Sequence, residues 1–269
     1  MFTHYLLLNL NANIRLNLSL NMPKISVYVN YSKMNYFLYF YGMKLISLLL
    51  LIPSLCFGQD SFRKVNLKEI KQTLTDSTGY SYSTLMNRYL SKDTTLTENE
   101  FFYLYYGQAT QESYSPYGSS DTNKKLKELM DKKGDPSEKD LEKIITLSEK
   151  ILKEIPFDID YWLYIAYANK MLNRPLDRHS AIQMYRGILT AINSTGDGKS
   201  LETAFWVIRV DNEYTMLHWL DLEFGGQQSL INRCDKLTVK KNEEGLEAVY
   251  FDVSILFNSM SKLFDKGKK

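Results

Sequence analysis

The stretch Glu154-Ile-Pro-Phe-Asp-Ile-Asp-Tyr-Trp-Leu-Tyr-Ile-Ala-Tyr-Ala-Asn-Lys-Met-Leu172 constrains this chain most. Pro156 ends one helical pattern, and Asp158 or Asp160 is placed to cap the next by accepting an orphan backbone N–H. From Tyr161 to Leu172 the apolar residues fall nearly all round a helix: Trp162, Ile165 and Ala166, then Tyr161, Tyr164, Ala168 and Met171. A helix apolar on every side belongs in the middle of a fold. Ala166 and Ala168 are small enough to let neighbouring helices come close. Together with Asp177 to Ile192, this segment is what the rest of the chain must pack against.

A helix–turn–helix rhythm surrounds it. A tetratricopeptide unit repeats every ~34 residues, with fixed large, small and aromatic positions in its two helices and a closing Pro. Pro156 stands where the closing Pro of one unit belongs, and Ile165 and Ala166 fit the large and small positions of the next. Ala181, Tyr185 and Ile188 reproduce the second-helix pattern three residues late, and Asn169 occupies a usually aromatic position. The segment is similar to one degenerate unit plus the second helix of a preceding one. At least about three units are needed for an array that stands alone.

Upstream, Phe62, Val65, Leu67 and Ile70 fit a short helix or strand, and Leu85, Met86, Tyr89 and Leu90 have helical spacing. Thr97-Glu-Asn-Glu100 has the form of a capping box, and it launches Phe101-Phe-Tyr-Leu-Tyr-Tyr-Gly107, aromatic on all faces. Asp121 to Lys132 reads as a charged helix with Leu126, Leu129 and Met130 inward. Ser137 can cap the helix carrying Leu141, Ile144, Ile145, Ser148, Ile151 and Leu152. After Gly196-Asp-Gly198 the period changes. Thr203 to Val210 is apolar on both faces and predicts a strand covered on both sides. Asp211 to Leu220 fits a short helix capped by Asp211 better than a strand. Gly225-Gly226 reads as a break, and Gln228–Lys240 and Leu246–Val253 as a hairpin around Asn242-Glu-Glu-Gly245. Ser254 to Phe264 closes as a helix. The fold class is therefore α+β, mainly α. A tetratricopeptide-like helical region spans 59–195, a small antiparallel sheet with flanking helices spans 196–264, and 265–269 is a frayed tail.

The first 58 residues differ in composition. They contain Arg15, Lys24, Lys33 and Lys44 but no acid, so all 31 acidic residues face 29 of the 33 basic ones in 59–269, a net charge of −2. A near-neutral body argues against a nucleic-acid partner, which needs a concentrated basic face. Met43-Lys44, the apolar run Leu45–Leu55 and the small residues before Gln59 have the layout of a secretory signal peptide, cleaved after Gly58. Residues 1–42 then read as a misassigned start or an extension. The alternative is an uncleaved anchor, since Tyr36 to Gly58 is long enough to span a bilayer. Cleavage leaves a secreted or periplasmic body with no membrane partner and one cysteine, Cys234, a small core residue in a strand pattern. A 211-residue body can bury a core without disulfides.

Sites of chemistry are sparse. His179, His218 and Cys234 stand alone at no ligand spacing, so neither a metal nor a cofactor is expected. No nucleophile elbow, phosphate-binding loop or dinucleotide fingerprint occurs, and no catalytic residue is assigned. Asp211 and Glu213 could be an acid pair, but helix capping explains both. The one recognition candidate is the turn after the aromatic helix, with Gln108, Gln111, Glu112, Tyr114 and Tyr117. It mixes polar and aromatic groups as interfaces do. The plainer reading packs Tyr114, Pro116 and Tyr117 as a corner while Gln108 satisfies loop backbone.

Four motifs occur in order: Tyr106-Gly-Gln-x-x-Gln-Glu-x-Tyr-x-Pro-Tyr117, Asp197-Gly-x-x-x-Glu-Thr-Ala204, Asp211-x-Glu-Tyr214, and Cys234-Asp235 with Tyr250-Phe-Asp-Val253. Together they resemble a family of secreted bacterial proteins, domain-of-unknown-function family 4919, over most of residues 65–257. The resemblance implies export and this fold class, and it carries no activity or catalytic residue. Two functions follow. One is a non-catalytic interaction module of the cell envelope that binds a protein or peptide. The other is an envelope-acting, hydrolase-like enzyme using Glu112 and nearby tyrosines, which needs Glu112 in a cleft beside a second titratable group.

Overall fold

Several helices begin where side-chain caps place them. In a computed structural model that describes residues 62–75 and 80–259, α1 runs Leu67–Thr75, α2 Tyr82–Leu90 and α3 Glu98–Gln108. Residues 1–42, the expected signal peptide 43–58, the end of the expected closing helix and the tail lie outside the described residues. Ser81 caps α2 by accepting from the Thr84 N–H, and the Thr97–Glu100 capping box opens α3 with both hydrogen bonds made. Then follow α4 (Thr122–Met130), α5 (Glu138–Glu154), α6 (Asp160–Met171) and α7 (Pro175–Asn193). Ser137 caps α5 through the Asp140 N–H. No described helix is long and apolar enough to cross a membrane.

The all-round apolar helices are central. In α3, Phe101, Phe102, Leu104, Tyr105 and Tyr106 are all buried, and in α6 so are Trp162, Leu163, Ile165, Ala166 and Ala168. Tyr89 of α2 joins them: its ring stacks on Phe157 at 5.7 Å and meets Trp162 edge-on at 5.3 Å. Helix α7 lies so close to α3 that a Cβ on Gly187 would stand 2.3 Å from the Phe101 ring, which excludes any larger residue. A second apolar group, Leu126 and Leu129 of α4 with Leu141, Ile144 and Ile151 of α5, rests on Ala168.

Two expectations about α6 fail. Its first turn follows Ile159 and has no side-chain cap; Asp160 instead accepts from the Thr215 hydroxyl at 3.1 Å. Met171, at the helix end, is half exposed rather than inward.

The rest of the chain holds a four-stranded sheet, with β1 (Phe205–Trp206), β2 (Phe224–Ile231), β3 (Cys234–Val239) and β4 (Ala248–Asp252) in the order β1-β4-β3-β2. The β2–β3–β4 pairs are antiparallel, and β1 adds a short parallel rung beside β4, so the sheet is mixed at that edge. The predicted strand over 203–210 shrinks to two residues. Its backbone groups are taken by tyrosines instead of a ladder: Tyr106 donates to Trp206 O at 2.8 Å, and Tyr114 to Ile208 O at 2.7 Å. The Ile208 N–H donates to the Tyr105 oxygen at 3.1 Å. With its ladder positions used up, the chain turns into α8 (Asp211–Trp219), the helix preferred over a strand there.

The expected hairpin around Asn242–Gly245 joins β3 to β4. A second hairpin was hidden in Gln228–Lys240. Asn232 and Arg233 both have positive φ, 48° and 66°, the two-residue turn whose twist suits antiparallel strands, and they split that segment into β2 and β3. Gly225-Gly226 is not a break but the bulged start of β2. A Cβ on Gly225 would lie 2.8 Å from the Thr238 hydroxyl oxygen of β3. Residues 254–259 are helical and carry buried Ile255 and Leu256.

Candidate functional site

The turn 109–121 leaves the C-terminal end of α3 and lies over residues 205–212, held there by its own polar groups. Gln108 accepts from the Tyr82 hydroxyl, so it ties α3 to α2 rather than binding loop backbone. Gln111 turns back, donating to Gly107 O and the Thr110 hydroxyl oxygen, both at 3.1 Å. Tyr114 is half buried with its hydroxyl on Ile208, and Pro116 is buried. Tyr117 is 55% exposed and is no part of the packed corner. Glu112 is exposed, with no hydrogen bond or ion pair among the described residues, and it does not line the cleft beside it. The hydrolytic reading therefore lacks the cleft-bound acid it requires.

That cleft, about 60 Å³, lies between the turn and residues 154–157, with Ser113, Tyr114, Gly118 and Arg209 among its walls. Arg209 sits in an apolar run, Val207-Ile-Arg-Val210, and is 5% exposed. Its guanidinium donates to Gly118 O at 3.2 Å and to the Asp211 carboxylate at 2.7 Å, while its Nε has no partner. Asp211 pairs with Arg209 and leaves α8 uncapped by any side chain, against the capping expectation.

Arg209 acts on Asp158 and pairs with Asp211, and Asp211 in turn acts on Asp160 and on Glu213, which meets Asp235. Burial pushes Asp158 up to about 7, tempered by Arg209 and reinforced by Asp211 and Asp160. Asp160 is pushed up to about 6 by burial, against the Thr215 hydrogen bond. Glu213, one turn into α8, is fully buried. Burial, then the charge and hydrogen-bonding carboxyl of Asp235 on β3, then Asp211, push it up to about 9. Glu213 is therefore a neutral acid at neutral pH, held against a second carboxyl. This, and not capping, is what its position provides.

Gln228 of β2 links the pair. Its amide donates to Asp235 at 2.9 Å and reaches Glu213 at 3.5 Å, and its carbonyl accepts from the Tyr214 hydroxyl at 2.8 Å. Tyr117 is near enough to Asp235 and Glu213 that both raise its phenol's pKa, after burial. The face thus joins the predicted Tyr117 to Tyr214, Gln228, Asp235 and Glu213, contributed by the turn, α8, β2 and β3. Gln108, Gln111 and Tyr114 support the turn from beneath it. Sequence reasoning missed Glu213, Gln228, Asp235 and Arg209 as a group. An arginine inside an apolar run, and an acid buried one turn into a helix, were the available signals.

Among the described residues no three His, Cys, Asp or Glu side chains are grouped to hold a metal ion. A family model described as a domain of unknown function (DUF4919) matches residues 68–262. No curated protein and no solved structure matches the chain.

Proposed function

The chain belongs to the DUF4919 family, and on that premise we propose that it is an exported, non-catalytic binding module of the cell envelope. Its ligand is an extended segment of a protein or peptide, laid along β2. The observation that carries this reading is the state of that strand. β2 is the outer strand of the sheet, and Gly225 to Ile231 are all exposed, including Leu230 at 55% and Ile231 at 37%. Natural edge strands are guarded by charges, prolines or bulges. Phe224–Ile231 has neither charge nor Pro, and its bulge falls at the start, before Gln228. A bare edge with apolar side chains and unpaired backbone groups is the template for strand addition.

The tyrosines beside it support the same reading, because exposed aromatic rings with polar tips are favoured at interfaces. Export rests on the Met43–Gly58 pattern. The similarity of 154–192 to a tetratricopeptide pair fits a protein-binding role as well.

The test is site-specific photo-crosslinking in the native envelope, with the reactive group at Ser229 on β2 or at His179 on α7. A saturable adduct to another polypeptide from Ser229, and none from His179, is the expected result. Equal labelling from both positions, or an adduct only to a second copy of this chain, overturns it.

A further inference from the structure

Resting on that reading of β2, we infer that Asp235, Glu213, Gln228, Tyr117 and Tyr214 form a seat for an organic cation, the ammonium or guanidinium of a basic side chain in the bound segment. The seat lies on the sheet face that β2 shares with α8, beside the bare strand edge. Gln228 and Leu230 of β2 stand opposite Leu237 and Asp235 of β3, so a strand added to β2 passes its side chains along this row.

The geometry leaves one buried carboxyl oxygen without a donor. Glu213 is fully buried, yet its Oε1 receives no hydrogen bond, and a buried carboxyl oxygen without a donor is costly. The chain's own basic neighbours go elsewhere. Lys236, next to Asp235 in β3, lies on the other face 5.8 Å from the Tyr250 ring. Arg233 donates to Asn258 at 2.6 Å, and Arg209 is taken by Asp211. Among the described residues no ion pair reaches Glu213 or Asp235. Two carboxyls within hydrogen-bonding reach of each other stay together when one keeps its proton or a positive charge stands beside them, and in the unliganded chain the proton on Glu213 fills that role.

A ligand cation does the same from outside. Asp235, half buried, is the carboxylate it meets, with Glu213 behind. Tyr117 and Tyr214 both stand within electrostatic reach of the two carboxyls, and their rings suit an ammonium or guanidinium, which aromatic faces attract. A divalent metal is a poorer fit, since no three ligating side chains converge here. As the cation arrives, Glu213 gives its proton to solvent. The groups that set this exchange are Asp211 and Tyr214 on its own helix, Asp235 on β3 and Tyr117 from the turn.

The experiment titrates the full chain with a short capped peptide alternating Lys and Val, and with the same peptide carrying acetyl-lysine. Hydrogen exchange at the β2 amides is followed in parallel. The lysine peptide is expected to bind about tenfold tighter at low salt. Asp235→Asn and Glu213→Gln should each remove most of that preference. Tyr117→Ala, at an exposed position, should remove part of it. Equal binding of both peptides with protection of β2 overturns the cation seat and leaves the strand-addition reading standing. Neither peptide binding or protecting β2 overturns that reading itself. A lysine preference unchanged in Asp235→Asn and Glu213→Gln places the cation elsewhere and overturns the seat.

Discussion

Trp162 and Tyr89 meet edge to face at 5.3 Å, and the indole N–H donates to the phenol oxygen at 2.6 Å. Tyr89 passes its own proton to Pro156 O at 3.2 Å, so two helices and the loop before α6 are joined through one hydroxyl. Trp162→Ala removes a side chain that is 1% exposed and leaves a cavity. It should cost ~3–5 kcal/mol, a large share of the ~5–15 kcal/mol of a typical domain. Urea unfolding followed by near- and far-UV circular dichroism should show an early, single transition. Tyr117→Ala, at an exposed position, should change stability by no more than ~0.5 kcal/mol.

Tyr105 and Tyr106 are both fully buried, but their hydroxyls do different jobs. Tyr105 donates to Asn212 Oδ1 at 2.8 Å and accepts from the Ile208 N–H, while Tyr106 donates to Trp206 O with the Thr195 hydroxyl beside it. Tyr105→Phe leaves a buried donor and a buried acceptor without partners, each worth ~1–3 kcal/mol. It should destabilise the chain clearly more than Tyr106→Phe. Denaturant midpoints of the two variants decide the order.

Glu213 predicts the sign of a pH effect. Its carboxyl rises from 4.5 to about 9 on folding. Between those values the folded chain holds a proton that the unfolded chain has lost. Stability from this group is complete below the lower value and drains away as pH rises through the upper one. Asp158, at about 7, and Asp160, at about 6, act in the same direction over narrower windows. Glu213→Gln should therefore flatten the fall in stability between about pH 5 and about pH 9, and exceed the native chain at the alkaline end. Urea titrations across that range measure it. Identical slopes would mean the proton on Glu213 contributes nothing.

The β2–β3 turn rests on two residues with left-handed backbone, Asn232 and Arg233. Asn tolerates that region and a β-branched residue does not. Asn232→Val should cost ~1–2 kcal/mol, and Asn232→Gly should be close to neutral. Amide exchange at Leu230 and Ile231 should quicken in the valine variant before the helices respond.

The helical half was legible because its signals are local. The Thr97–Glu100 box, the Ser137 cap and the apolar circumference of α6 each act within a few residues. The stretch 203–210 was misread for the opposite reason. Nothing in it shows that Tyr105, Tyr106 and Tyr114, about a hundred residues earlier, take its hydrogen-bonding groups and stop a strand from extending. Gly225 looked like a break because its closeness to Thr238 is a fact about the neighbouring strand. The site divides the same way. The turn 106–118 stood out as polar and aromatic, whereas Glu213 and Asp235 read as a cap and a strand residue. Their meeting depends on how α8 packs against the sheet.

The tyrosines of α3 also order events in time. Tyr105 waits for Asn212, 107 residues downstream, and Tyr106 for Trp206, 100 residues downstream. A chain made from its N-terminus exposes α3 long before those partners exist. Contacts so far apart in sequence slow folding, and an exposed aromatic helix invites misassociation meanwhile. The molecule therefore cannot close from the front. Its first helices should stay open until β1 and α8 emerge, and a truncation that removes residues 205–212 should strand α3 in that state.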